Sequence, residues 1–81
     1  MNIDYEKFIP CTDISLAAYL VSFSHIIKID ATDPQKVVFF FEDTSELHDS
    51  ISGFWNNTVT IAPLEYFNNI KNLKTRIHLE R

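Results

Sequence analysis

The sequence predicts a small two-layered α+β domain, in the order helix, β-hairpin, helix, short strand and long C-terminal helix (α-β-β-α-β-α). Apolar residues recur at helical spacing in three stretches, and two runs rich in β-branched and aromatic residues flank a turn. The 81 residues include one Gly and no Ser/Gly-rich linker. A chain of this length forms one hydrophobic core. We therefore expect a single domain over residues 11–81, after a lead-in of residues 1–10.

The first helix is expected after Pro10, because proline disfavours helical backbone in the residue before it. Thr12 or Asp13 is positioned to accept hydrogen bonds from the free amides of the first turn. Residues 14–23 carry two overlapping apolar series at helical spacing, which is typical of a largely buried helix. We expect Ser22 and Ser24 to close it.

Residues 25–30 and 36–42 are predicted to form a β-hairpin around the turn-forming residues between them. Because side chains alternate across a sheet, one face should combine five apolar residues: Ile27, Ile29, Val37, Phe39 and Phe41. The opposite face should carry Ile26, Val38 and Phe40 together with Lys28 and Lys36.

The second strand of this hairpin is therefore apolar on both faces, which requires a cover for the second face. One interpretation is a protein-binding surface formed by Ile26, Val38 and Phe40, either for another protein or for a second copy in a homodimer. The alternative is a cover supplied by the chain itself, from the apolar N-terminal residues Tyr5, Phe8 and Ile9.

The sequence Asp43-Thr44-Ser45-Glu46 is typical of a helix start, and an apolar stripe follows it. The stripe consists of Leu47, Ile51, Phe54 and Trp55. Asn56 and Asn57 can end this helix in a left-handed conformation. Residues 58–61 are predicted to add a short third strand. A final helix then begins at Pro63, with Tyr66, Ile70, Leu73 and Ile77 on one face.

The formal net charge is −4, and its distribution suggests two charged surfaces. No Lys or Arg lies between Lys36 and Lys71, and we predict an acidic protein-binding face from residues around the second helix, Glu42, Asp43, Glu46 and Asp49. On the last helix a basic stripe could contact phosphates; it consists of Lys71, Lys74, His78 and Arg81. In each case the simpler interpretation is ordinary charge placement along the helix dipole.

No catalytic or metal-binding motif is evident, so we expect a protein that is not an enzyme and uses no cofactor. Cys11, His25, His48 and His78 lie in four different segments without ligand spacing, which argues against a metal site. Cys11 beside a helix start could be reactive, but a small buried residue is the simpler interpretation. A single cysteine also excludes an internal disulfide and favours a reducing compartment.

The N-terminal residues lack the basic start and apolar stretch of an export signal, and no apolar run approaches the ~20 residues that span a membrane. We therefore expect a cytoplasmic protein without a membrane segment.

Four stretches of the sequence resemble a known family. They are the TD-x-x-LAAYL pattern of residues 12–20, the VVFFFED run of residues 37–43, and the pairs Tyr66-Phe67 and Leu73-Lys74. The chain resembles, over about residues 8–78, a group of short bacterial, archaeal and phage proteins known only as a domain of unknown function. In that family a glycine usually follows the first helix, whereas Ser22 and Ser24 stand there in this chain. The resemblance implies a small accessory protein of phages or mobile elements, whose products often bind host machinery.

Taken together, these observations predict a non-catalytic protein-interaction module that binds a host or phage protein. An inhibitor of a host defence system such as CRISPR is the specific form of this prediction. The alternative is a nucleic-acid-associated accessory protein that uses the basic last helix.

Overall fold

Three helices pack on one face of a three-stranded antiparallel sheet. The structure is a computed structural model that describes residues 7–80. In chain order its elements are β1 (Phe8–Cys11), α1 (Ile14–Leu20), β2 (Ile26–Asp30), β3 (Val38–Glu42), α2 (Ser45–Trp55) and α3 (Pro63–Glu80). The sheet order is β1-β3-β2, with both neighbours antiparallel to β3. The predicted α+β class is therefore confirmed, with three helices and a β2–β3 hairpin.

The core lies between the helices and one face of the sheet. Cys11, Ile29, Phe39 and Phe41 line up across the three strands and are buried. They meet the buried helical residues, which are Leu16, Ala17, Ala18, Leu20, Leu47 and Leu73. All the buried strand residues point to one side, so the helices form the second of two layers.

The third strand of the sheet is β1 and not residues 58–61. Phe8–Cys11 falls within what the sequence suggested was a lead-in, and it pairs with β3 from Phe8 opposite Glu42 to Cys11 opposite Phe39. Because β1 and β2 occupy both sides of β3, no place beside the central strand remains for residues 58–61. These residues instead link α2 to α3, and the Thr58 amide donates to the Gly53 carbonyl oxygen.

A β-bulge changes which residues of β2 face the core. Ile26 pairs with Phe41, but Lys28 pairs with Phe40, so one extra residue stands between these two pairs. Ile26 consequently packs against the core, while Ile27 is 45% exposed. This placement of Ile26 and Ile27 is opposite to the one that strict alternation predicted. Ile26 therefore does not contribute to the outer sheet face.

The helix starts and one helix end follow the local sequence. Asp13 Oδ1 accepts hydrogen bonds from the amides of Ser15 and Leu16, and Thr44 Oγ1 accepts from the amide of Leu47. Asn57 has a positive φ of 59°, as a left-handed residue after a helix requires. Helix α1 is shorter than predicted and ends at Leu20, after which residues 21–24 form turns.

Helix α1 contacts both α2 and α3 and is the most buried helix of the domain. Its contact with α3 includes two side-chain links. Tyr66 donates its hydroxyl hydrogen to the Ser15 carbonyl oxygen, and Asn69 Nδ2 donates to the Ala18 carbonyl oxygen. Leu73 is the buried centre of the predicted apolar face of α3, which Tyr66, Ile70 and Ile77 complete at the edge of the core.

Candidate functional site

The acidic residues around α2 are all exposed, but they do not form one uniform surface. Asp43 Oδ1 lies 2.7 Å from His48 Nε2, so this carboxylate is engaged with a side chain of α2. Glu46 and Asp49 form no ion pair with any residue between 7 and 80. Glu42, at the end of β3, lies on the outer face of the sheet. The acidic face of α2 therefore consists of Glu46 and Asp49, and Glu42 lies apart from them on the outer sheet face.

The outer face of the sheet is apolar at its centre and charged at its margins. Val38 and Phe40 are half-buried, and Phe8 of β1 lies on the same face, opposite Glu42. Lys28 pairs with Phe40 from the other side. The sequence thus placed Val38 and Phe40 correctly on this face. The N-terminal strand β1 adds the half-buried Phe8 to this face.

The basic stripe of α3 is exposed and includes an aromatic residue. Lys71, Lys74 and His78 are all exposed, whereas Arg81 lies outside the described residues. Phe67, one turn before Lys71, is 58% exposed, and Lys71 Nζ lies 5.4 Å from the centroid of its ring. Cation–π contact of this kind holds the ammonium group beside the ring. The spacing Phe67, Lys71, Lys74 was visible in the sequence but was not recognised.

A row of four aromatic rings crosses the junction of α1 and α2. Tyr19 lies 5.1 Å from Phe23 and 5.7 Å from Phe54, and Phe54 lies 5.1 Å from Trp55, measured between ring centroids. Phe23 and Trp55, at the two ends, are 51% and 59% exposed. The prediction placed Trp55 on the buried stripe. Trp55 instead lies about 100° around the helix axis from Phe54, at the margin of the stripe, and is largely exposed.

A groove of about 490 Å³ lies beside this aromatic row. Tyr19, Ser22 and Phe23 form one wall, and residues 60–62 with Glu65 form the other. Gly53 lets the linker approach α2 closely, since a β-carbon at this position would lie 3.0 Å from Val59 Cγ1. Sequence reasoning missed the groove because it treated residues 58–61 as a strand.

A cluster of metal-ligating side chains is absent from the part of the chain that the structure describes. Over residues 7–80, no three His, Cys, Asp or Glu side chains lie close enough to hold a metal ion. Cys11 is buried in β1, where its Sγ donates to the Asp13 carbonyl oxygen. Burial raises the pKa of the Cys11 thiol, which disfavours the reactive thiolate. No described helix combines the length and apolar character needed to cross a membrane.

Comparison with known proteins gives one match. The sequence profile described as "Domain of unknown function (DUF5659)" matches residues 6–79. No curated protein and no solved structure matches the chain. The matched residues include all six elements of the fold, from β1 to nearly the end of α3. The chain therefore belongs to the DUF5659 family of domains of unknown function.

Proposed function

We propose that this chain is a protein-interaction module without catalytic activity, encoded by phages or mobile elements, that inhibits a host defence system such as CRISPR by binding one of its proteins. The observation that carries the binding proposal is the exposed acidic face of α2. Glu46 and Asp49 are exposed and have no ion-pair partner within residues 7–80. The resemblance to short phage, bacterial and archaeal proteins supports the biological context.

Two exposed aromatic residues, of which Phe23 shares a small cavity with Glu46, add to this proposal. Phe23 and Trp55 keep half or more of their surface in contact with water. Large exposed aromatic rings are enriched at protein interfaces, where Trp in particular contributes strongly to binding. Acidic residues around such rings give orientation and fast association with a basic partner surface. A protein partner with a basic surface therefore fits this side of the domain.

Charge reversal tests the acidic face directly. The variant Glu46→Lys/Asp49→Lys should lose the host protein that the wild-type chain captures from host lysate, as identified by mass spectrometry. Each single reversal is compared with Glu80→Lys, which makes the same charge change at an exposed position beside the β2–β3 turn. Equal recovery of the partner by the double variant and by the wild type contradicts binding through this face.

The proposed inhibition of a host defence system is tested by a separate assay. The chain is expressed in a bacterium whose CRISPR system targets a resident plasmid, and plasmid retention is measured. Retention above the empty-vector level is expected for the wild type and for Glu80→Lys, and loss of retention is expected for the double reversal. Plasmid loss at the empty-vector rate in the presence of the wild-type chain contradicts inhibition of that system.

A homodimer formed through the outer sheet face is a further part of the proposal. Val38, Phe40 and Phe8 give this face an apolar centre of the kind that subunits bury between them. Light scattering of the concentrated protein should then show a dimer, and Val38→Lys should shift it to a monomer. A wild-type chain that stays monomeric at high concentration contradicts the homodimer.

Nucleic-acid association through α3 is a second candidate, which the exposed Phe67 beside Lys71 favours. Basic side chains beside an exposed ring suit single-stranded nucleic acid, because the cations contact phosphates and the ring stacks on a base. Binding of labelled single-stranded DNA or RNA should weaken with added salt, and Lys74→Ala should reduce the salt slope by about 1. If neither single-stranded DNA nor RNA binds at low salt, nucleic-acid association through α3 is contradicted.

A further inference from the structure

We propose that the groove between α1 and the α2–α3 linker binds a short segment of the protein partner, in which an apolar anchor residue is flanked by Lys or Arg. This inference rests on the proposed interaction function and specifies the chemistry of the partner. Three properties of the groove carry it: its backbone groups, its apolar walls and its charge.

The linker offers backbone hydrogen-bonding groups that the described part of the domain does not use. The backbone groups of Val59, Thr60 and Ile61 form no hydrogen bond with any residue from 7 to 80. The preceding amide, of Thr58, bonds to the Gly53 carbonyl, and the Ala62 carbonyl accepts from Tyr66 at the start of α3. Water can satisfy backbone groups at such partly exposed positions, and a partner segment that pairs with the chain can take the place of this water. A bound segment running along residues 59–61 would use these groups.

The walls of the groove fit an apolar side chain. Tyr19 of α1 and Phe23, in the turn after it, line one side of the groove, and Ile61 and Ala62 line the other. Phe23 is 51% exposed although its ring contacts Tyr19 edge-on. An anchor residue inserted between Phe23 and Ile61 would remove this aromatic surface from water, which is the main contribution expected from such a contact.

The charge around the groove selects a basic segment. Glu65 lines the groove itself, and Glu46 lines a small separate cavity that shares Phe23 with the groove. No Lys or Arg occurs between positions 36 and 71 to balance these carboxylates. Lys71 lies six residues after Glu65 on α3, which is about 9 Å further along the helix axis and about 120° around it. Lys71 is therefore not adjacent to the Glu65 carboxylate. Lys or Arg on both sides of the anchor residue would therefore meet opposite charge.

A second cleft, at the β2–β3 turn, lacks these properties. It has a volume of about 520 Å³ and is lined largely by polar and turn residues around Asp30 and Thr32. Asp30 Oδ1 already accepts from the Thr32 amide, and Asp33 Oδ1 accepts from the Gln35 amide. The polar groups at this turn thus have local partners, which is why we assign the partner segment to the groove beside α1.

Peptide selection on the full chain tests the inference directly. A library of short random peptides displayed on phage is panned against the immobilised wild-type protein. We expect enriched peptides to carry one apolar or aromatic residue flanked by Lys or Arg. One such peptide is then synthesised and titrated into isotopically labelled protein, where the amide NMR signals of Val59, Thr60 and Ile61 should shift most.

Two variants and a matched control locate the binding. Phe23→Ser and Glu65→Lys should each weaken the selected peptide about tenfold or more, as loss of an interface anchor typically does. Leu79→Ser changes another exposed apolar residue, 76% exposed near the end of α3 and outside the groove, and should bind as the wild type does. Amide NMR spectra of the three variants establish that each remains folded, and an unfolded Glu65→Lys is replaced by Glu65→Gln.

Several results would overturn the inference: no enrichment, enrichment of acidic peptides, largest shifts outside residues 59–61, or equal binding by Phe23→Ser and Leu79→Ser. Displacement of the peptide by single-stranded DNA that shifts the same three amides would also overturn it, by assigning the groove to nucleic acid. Failure of the broader interaction function looks different. In that case neither the wild type nor any variant retains a host protein, whatever peptide the groove selects.

Discussion

Asn69 is expected to hold α3 against the end of α1, and its replacement gives a sharp test of the packing. Its side-chain amide donates at 3.0 Å to the Ala18 carbonyl oxygen and at 3.0 Å to Ser22 Oγ. The Ala18 carbonyl lies in the last turn of α1, where helical carbonyls lose their partners. It accepts from no other group in residues 7–80, since the amides of the following turn bond to Ala17, Tyr19 and Leu20.

The expected magnitude follows from two opposing contributions. Asn69→Ala leaves the carbonyl of a fully buried residue without a protein partner, which costs about 1–3 kcal/mol. Alanine also has a higher helix propensity than asparagine, and this difference offsets about 0.5 kcal/mol of the lost stability. The net loss in the free energy of unfolding should therefore be about 0.5–2.5 kcal/mol.

The neighbouring Asn68 provides the matched control. It lies on the same helix and is exposed, and its side chain forms no hydrogen bond within the described residues. Asn68→Ala should therefore gain only the propensity term of about 0.5 kcal/mol. Urea unfolding followed by circular dichroism should show that the free energies of unfolding of the two variants differ by about 1–3 kcal/mol. The slope of this free energy against urea concentration should be unchanged. Equal unfolding midpoints for Asn68→Ala and Asn69→Ala would refute the role of Asn69.

Three further predictions concern the core, a helix cap and the buried thiol. Leu73→Ala removes a side chain that is 2% exposed and should lower the free energy of unfolding by about 2–5 kcal/mol, measured in urea; a loss below about 1 kcal/mol would contradict its burial. Thr44→Ala removes the acceptor for the Leu47 amide and should cost about 1 kcal/mol, whereas Thr44→Ser should retain most of it. Burial raises the pKa of the Cys11 thiol in the folded protein. The thiol therefore contributes to the stability of the folded state below the ordinary thiol pKa, and this contribution is lost as pH rises through the raised pKa. Alkylation of Cys11 by iodoacetamide at mildly alkaline pH should therefore be slow in the native protein and fast in urea; equal rates would contradict this.

Local sequence signals predicted the helices well, because a helix is built from interactions within a few residues. The caps Asp13 and Thr44 reach amides two or three residues ahead, and the face of α3 centred on Leu73 follows from the 3.6-residue period. The end of α1 was less predictable. Apolar residues continue through Val21 and Phe23, but the helix stops at Leu20 and leaves Phe23 half-exposed.

The candidate binding surfaces were only partly visible in the sequence. Exposure of Glu46 and Asp49 followed from their position on the polar side of α2. The groove was not predictable in this way, because its two walls are Phe23 and Ile61, which lie far apart in the chain and meet only when α1 packs against the α2–α3 linker. Asn69 likewise gave no sequence signal, since its acceptors on α1 lie about fifty residues earlier.

The sequence by itself determined the α+β class, the hairpin, the starts of the helices and the buried face of α3, because periodicity and capping are local properties. The tertiary structure alone decided which segment completes the sheet. Residues 58–61 have strand-like composition, but β1 reaches the open side of β3 from the N-terminal side of the chain. Strand pairing depends on which edges meet in space, and a bulge of one residue was enough to turn Ile26 inward and Ile27 outward.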